Sequence, residues 1–253
     1  MRVKIIGIGC IGGSMALRLK SNGSYEVEVY DTDEETMRMA FGMNLELSER
    51  DDPDGDLNIL AVPMGVEERM LRRIDSKNLI MDVSSVMEPF VNLAKDRRLR
   101  FIGGHPMAGN ERKGYRGWDP RMFEGRKFFL CKGECAEERD VELVEKVVMD
   151  LGSTPIWIEP NEHDKIVSKV SQSIFFISLV AKRIGTDYGN FAGPGYISTT
   201  RLANQNLEMV LDMVRYNGKN IVEDLRNGLN FLEEIIRLIE IEDLDGLKER
   251  MIF

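Results

Sequence analysis

Six residues near the start of the chain, Gly7-Ile8-Gly9-Cys10-Ile11-Gly12, limit its fold more than any other stretch. The run before them, Val3 to Ile8, is apolar except for Lys4, as expected of a strand covered on both faces of a parallel sheet. After them the pattern predicts a helix from about Ile11 to Ser21, with Met15, Leu17 and Leu19 among its apolar positions and Asn22-Gly23 ending it. Tyr25 to Tyr30 then alternates as a second strand and stops at Asp31, 24 residues after Gly7. A G-x-G-x-x-G by itself is a weak sign. Set between a strand and a helix, and answered by an acidic residue at the end of the next strand, it marks a dinucleotide-binding βαβ unit.

Each residue of that unit has a physical task. Gly7 permits the tight turn, Gly9 lets backbone approach a pyrophosphate, and Gly12 allows close packing of helix on strand. Backbone N–H groups near Cys10 and Ile11 meet the phosphates at the helix N-terminus. Asp31 selects the cofactor, because its carboxylate accepts from both ribose hydroxyls of NAD and repels the 2′-phosphate of NADP. Service as a helix N-cap is compatible with that role of Asp31 and does not replace it. Val62, at the end of a later strand, joins these residues as a cofactor-binding candidate.

Further strands are expected over Leu57 to Val62, Leu79 to Val83, Arg100 to Ile102, Phe128 to Cys131 and Pro155 to Ile158. Helical or turn-rich stretches separate them, including an amphipathic helix from Ala136 to Leu151. From about Asn161 only helices are expected, at 162–184, 199–217, 219–240 and 243–251. The chain therefore reads as α/β, an N-terminal Rossmann domain with a doubly wound parallel sheet (1–160), followed by an all-helical C-terminal domain (161–253). The 253 residues carry 43% hydrophobic and 30% charged side chains, enough apolar surface for a packed core.

A net charge of −9 offers no global field for nucleic acid or an anionic membrane. The segment from Arg112 to Lys127 does interleave basic residues with Tyr115, Trp118 and Phe123. It is read as a flap over a carboxylate-bearing substrate or as an ordinary solvated loop. No apolar run approaches a membrane span, and Met-Arg-Val-Lys runs straight into a strand without a signal-peptide pattern. Cys10, Cys131 and Cys135 are too few for a disulfide framework. Cys131 and Cys135 would make only half a metal site, and no metal is expected. A cytoplasmic protein is expected.

The chain has two histidines, and His105 lies in Gly103-Gly104-His105-Pro106-Met107-Ala108-Gly109, after a strand, where doubly wound sheets place their ligands. An imidazole there can take a hydroxyl proton as hydride leaves. This GGHPMAG segment, with Met122-Phe123-Glu124-Gly125 downstream, resembles the prephenate/arogenate dehydrogenase (TyrA) family. Three other segments agree: Asp82-Val83-Ser84-Ser85-Val86, Glu162-His163-Asp164, and Gly195-Tyr196-Ile197-Ser198-Thr199-Thr200-Arg201-Leu202-Ala203.

The resemblance implies NAD-dependent oxidative decarboxylation of a cyclohexadienol such as prephenate, in tyrosine biosynthesis. It makes His105 the proton acceptor, places Ser85 near the hydroxyl and the nicotinamide, and pairs Arg201 with a substrate carboxylate. His163 is expected to orient a helix rather than touch substrate. The resemblance also implies a homodimer through the helical domain. The chain departs from the family pattern at Met87, where lysine is frequent, and in Ser171-Gln172-Ser173-Ile174-Phe175, which lacks two family histidines. Ile197 and Ser198 replace an arginine and an aspartate. Two other readings fit these residues: a related enzyme acting on arogenate or another cyclohexadienyl or hydroxy-acid substrate, and an NAD-binding regulatory protein without catalysis.

Overall fold

A computed structural model describes residues 1–110, 112–204 and 206–252. The chain divides into two compact units, Met1–Asp164 and a second beginning at Lys165.

The first unit is built on an eight-stranded sheet: β1 (Arg2–Ile6), β2 (Glu26–Tyr30), β3 (Glu46–Leu47), β4 (Leu57–Leu60), β5 (Leu79–Asp82), β6 (Phe101–Pro106), β7 (Lys127–Lys132) and β8 (Thr154–Trp157). Their order is β3-β2-β1-β4-β5-β6-β7-β8. From β1 the chain winds first toward β3 and then back past β1 to β4, which opens a crevice at the carboxyl ends of β1 and β4. Helices α1 (Cys10–Asn22), α2 (Glu34–Gly42), α3 (Met64–Arg73), α4 (Glu88–Asp96) and α5 (Glu138–Asp150) complete this unit. Val3, Ile5, Leu57, Ile59 and Met81 are fully buried, which explains their near-continuous apolar runs.

Several details differ from the sequence expectation, the short strand β3 among them. β1 and β4 end at Ile6 and Leu60, two residues early; Gly7, at φ +88°, takes the chain out of the β1 ladder. The β6–β7 pair runs antiparallel, because the chain between them returns without an α-helical crossover. β6 also extends through His105 to Pro106, held by pairing of Gly104 with Leu130 and His105 with Phe129.

Beyond β8, α6 (Pro160–Val167), a π-helical turn (Ser168–Gln172) and α7 (Ser173–Ile184) follow one another directly. Then come α8 (Pro194–Thr200), α9 (Leu207–Glu240) and α10 (Leu244–Arg250). The two helices expected at 199–217 and 219–240 are largely one. Gly218 does not break α9; the helix bends at Asn217 (φ −129°, ψ 15°), whose amide donates to Gln172 Oε1 at 2.7 Å. Among the described residues no helix is long and apolar enough to cross a membrane.

Gly103 and Gly104 allow elements to approach, and are not there for flexibility. A Cβ on Gly104 would stand 2.6 Å from Asp82 O and 3.0 Å from Phe128 Cε1. Gly104→Ala is therefore expected to lower stability by about 1–3 kcal/mol, read as an earlier denaturant midpoint. An unchanged midpoint would show that β5 and the Phe128 ring can give way.

Candidate active site

The glycine turn sits at the carboxyl end of β1. Gly7 N–H donates to Tyr30 O at 2.8 Å, and a Cβ at Gly7 would fall 2.5 Å from Ala61 O and 2.7 Å from Val62 Cγ1. A Cβ at Gly12 would fall 2.0 Å from Gly7 O, so α1 packs directly on the turn. Gly9 is different, because a Cβ there would meet nothing within 4 Å. Its space is open. Gly9 is the N-cap of α1 and gives it no side-chain cap, so the first-turn amides keep their donor capacity and their share of the helix dipole.

Asp31 is held toward this turn. Its Oδ2 accepts from Ile8 N–H at 2.8 Å and its Oδ1 from Asp33 N–H at 3.0 Å. The N-cap of α2 is Asp33, which accepts from Thr36 N–H, so capping falls to Asp33 and not to Asp31. Gly7, Gly9, Cys10, Ile11, Gly12, Asp31 and Val62 thus gather at one edge of the sheet. The open Gly9, the uncapped amides and the oriented carboxylate fit a dinucleotide. The Cys10 thiol points to Gly117 O (3.4 Å) and burial pushes its pKa up, leaving its backbone for the ligand.

The segment after β6 packs onto this turn and is neither a free flap nor a solvated loop along its whole length. Trp118 Nε1–H is shared between Ile8 O (2.9 Å) and Gly9 O (3.0 Å). Asp119 N–H donates to Ser14 Oγ at 2.9 Å, and Tyr115 hydroxyl to Glu35 Oε1 at 2.8 Å. Arg112, Lys113, Arg116 and Arg121 remain exposed. A Cβ on Gly13 would lie 1.8 Å from the Trp118 indole nitrogen, so the glycine after the fingerprint makes room for this ring. That Gly12-Gly13 pair was the visible sign of the contact.

At the end of β6 the two histidines meet. His105 Nδ1 lies 3.0 Å from His163 Nε2, and His163 Nδ1 lies 2.8 Å from Asp164 Oδ1. Asp164 in turn accepts from Met87 N–H (2.8 Å) and Glu88 N–H (2.9 Å) at the start of α4. A carboxylate at a helix N-terminus is favourably placed by the dipole. The network sets the proton order: His163 donates from Nδ1 to Asp164, accepts at Nε2 from His105 Nδ1–H, and leaves a lone pair on His105 Nε2. Burial, and then the neighbouring imidazole, lower the His105 pKa to about 3. His163 is fully buried and also packs edge-on against Phe129, with ring centroids 5.3 Å apart. Its ring lies between His105 and the Asp164 carboxylate that caps the start of α4.

Ser85 is partly exposed in the turn after β5. Beneath it Ser84 hydrogen-bonds Glu67 of α3. Met87, at the position where the resemblance implies a frequent lysine, is buried, and its Sδ would lie 2.7 Å from a Cβ on Gly103. Arg201 lies in the second unit, exposed, opening a 3-10 turn (Arg201–Asn204) after α8. Its neighbour Thr200 is buried and donates to Tyr196 O at 2.8 Å. Among the described residues no group of three His, Cys, Asp or Glu is placed to hold a metal ion.

Residues 15–156 match the family model "Prephenate dehydrogenase, nucleotide-binding domain", and residues 159–253 match "Prephenate dehydrogenase, dimerization domain". The chain is similar to the prephenate dehydrogenase of Lactococcus lactis subsp. cremoris (strain MG1363), with 29% identity covering 98% of this chain and 73% of the relative. It is 26% identical to that of Bacillus subtilis (strain 168), covering 97% of this chain and 72% of the relative. Its fold is similar to the crystal structure of prephenate dehydrogenase from A. aeolicus in complex with hydroxyphenyl propionate and NAD+. That match has a TM-score of 0.88 and 24% identity, and covers 99% of this chain and 94% of the other.

The lowered His105 pKa has a definite sign. The native state favours neutral imidazole, so this group's contribution to stability is fully present above its ordinary 6.5 and is lost as pH falls toward 3. A nitrogen-15 NMR titration is expected to find His105 still neutral at about pH 5. Titration near 6.5 would contradict the burial and the pairing with His163.

Proposed function

The chain belongs to the prephenate dehydrogenase family, and on that footing we propose that it converts prephenate to 4-hydroxyphenylpyruvate by NAD-dependent oxidative decarboxylation, as a cytoplasmic enzyme of tyrosine biosynthesis. The observation that carries this reading is the Asp164–His163–His105 chain, which leaves His105 Nε2 as a proton acceptor at the carboxyl edge of the sheet.

The cofactor's residues are those of the glycine turn. Cys10 and Ile11 offer backbone N–H groups to the pyrophosphate, Gly7 and Gly12 shape the turn, Gly9 leaves the space, and Val62 walls it. Each Asp31 oxygen holds one backbone N–H and keeps a second lone pair for a ribose hydroxyl. When bound, NAD accepts the hydride that leaves the carbinol carbon of the substrate ring.

His105 Nε2 takes the proton of the ring hydroxyl as its C–O bond becomes a carbonyl. Ser85 hydrogen-bonds the same oxygen, and Arg201 pairs with a substrate carboxylate through its planar fork. Loss of the ring carboxyl as carbon dioxide leaves its bonding electron pair in the ring, which becomes aromatic. The phenol oxygen then recovers the proton from His105, so the base is restored and no net proton is released.

The working form is a homodimer joined through the helical unit. Residues 159–253 match a dimerization domain, and α7 and α9 expose Ile177, Ile184, Leu229, Leu232 and Ile239, apolar side chains that a partner would cover.

Purified protein given prephenate or arogenate, with NAD or NADP, tests the assignment through reduced nicotinamide. Turnover is expected with prephenate and NAD. Its absence with both substrates, while NAD still binds, overturns the reading; turnover with arogenate alone moves the substrate. His105→Asn is expected to lower kcat by about 10²–10⁴-fold with NAD affinity unchanged. Arg201→Ala is expected chiefly to raise KM for prephenate, and an unchanged KM removes the arginine from the site.

A further inference from the structure

Behind the turn that carries Ser85 lie two buried carboxyls with no cation against either of them among the described contacts. Glu67 of α3 and Asp82 at the end of β5 are both fully buried. Each has one oxygen engaged: Glu67 Oε2 accepts from the Ser84 hydroxyl, and Asp82 Oδ1 accepts from Gly104 N–H at 2.7 Å. The other two oxygens, Glu67 Oε1 and Asp82 Oδ2, have no donor. The carboxyls are within hydrogen-bonding reach of each other, so a single proton between them would satisfy both orphan oxygens at once.

We propose that Glu67 and Asp82 hold a proton between them, and that this protonated pair is a positioning device for the reaction. Outward, the pair accepts from Ser84 and from Gly104 N–H, each one residue before a residue given a role in the reaction, Ser85 and His105. It ties the β5 turn to strand β6. Two unprotonated carboxylates would repel each other in a medium too poor in solvent to screen them, and would push α3 from β5.

The titratable surroundings agree with a retained proton. Cys131 on β7 faces Asp82, and burial pushes its thiol pKa up, so it contributes no charge. Asp164 is engaged by His163 and by the start of α4. No lysine or arginine is among the groups acting on either carboxyl. Burial raises both pKa values, that of Asp82 to about 7 and that of Glu67 well above the usual carboxylate range. The native state therefore binds more protons than the unfolded chain above the ordinary carboxylate range. The pair's contribution is present at low pH and is lost as pH rises through its own titration.

This inference rests on the roles given above to Ser85 and His105, but two of its three readouts need no turnover, so its failure is distinguishable from theirs. Infrared spectra of the full-length protein at neutral pH are expected to show a protonated-carboxyl stretch that disappears in Glu67→Gln. Melting temperature is then followed from about pH 5 to about pH 9. The wild type is expected to lose stability relative to Glu67→Gln as pH rises, because the amide is a permanent donor to Asp82. Glu67→Leu, which leaves Asp82 Oδ2 without a donor, is expected to lower kcat by about ten- to a hundredfold with KM for NAD little changed. A wild type without the carboxyl stretch, or a Glu67→Gln protein with the same pH dependence as wild type, overturns the shared proton. Unchanged kcat in Glu67→Leu overturns the positioning role.

Discussion

The chemistry proposed for the first unit depends on one hydrogen bond, between His105 Nδ1 and His163 Nε2. An imidazole on a strand end is ordinary. It becomes a directed base only when its other nitrogen is committed, and here the commitment runs through His163 to Asp164 and into the first turn of α4. Each link fixes the next. The α4 amides orient the carboxylate, the carboxylate selects the His163 tautomer, and that tautomer can only accept from His105. The antiparallel return of β7 places Phe129 against the His163 ring, so packing closes the same arrangement from the side.

The glycines around the site serve approach more than motion. Gly7 and Gly12 let α1 close on β1, Gly13 admits the Trp118 indole, and Gly103 and Gly104 let β6 lie against Met87 and Asp82. Within the fingerprint, Gly9 faces open space while Gly7 and Gly12 do not, and that is where a pyrophosphate needs it. The segment that clasps the glycine turn begins seven residues after His105, at Arg112, so one stretch of chain links the end of β6 to the cofactor end.

What the sequence reveals is mostly what is local. The glycine fingerprint, Asp31 and the GGHPMAG segment each lie within a single strand–turn unit, and periodicity alone placed β1, β2 and α1 to within about two residues. The remaining features depend on contacts distant in the chain. His163 is 58 residues from His105, and no local pattern announces that they touch. Glu67 looks like an ordinary charge in a helix of mixed polarity until its burial is known. The extension of β6 through His105 depends on pairing with β7, and the continuity of α9 past Gly218 depends on Asn217 meeting Gln172. Both are tertiary effects that override local signals.

The central claim is that His105 acts as a base because His163 holds its proton in place. Turnover of prephenate by His163→Phe, measured beside its NAD affinity as a control on folding of the first unit, tests this most directly. The account predicts a kcat lower by about 10²-fold or more with NAD affinity retained, since an aromatic ring is kept while the acceptor for His105 and the donor to Asp164 are both lost. A His163→Phe enzyme that turns over at the wild-type rate would contradict it.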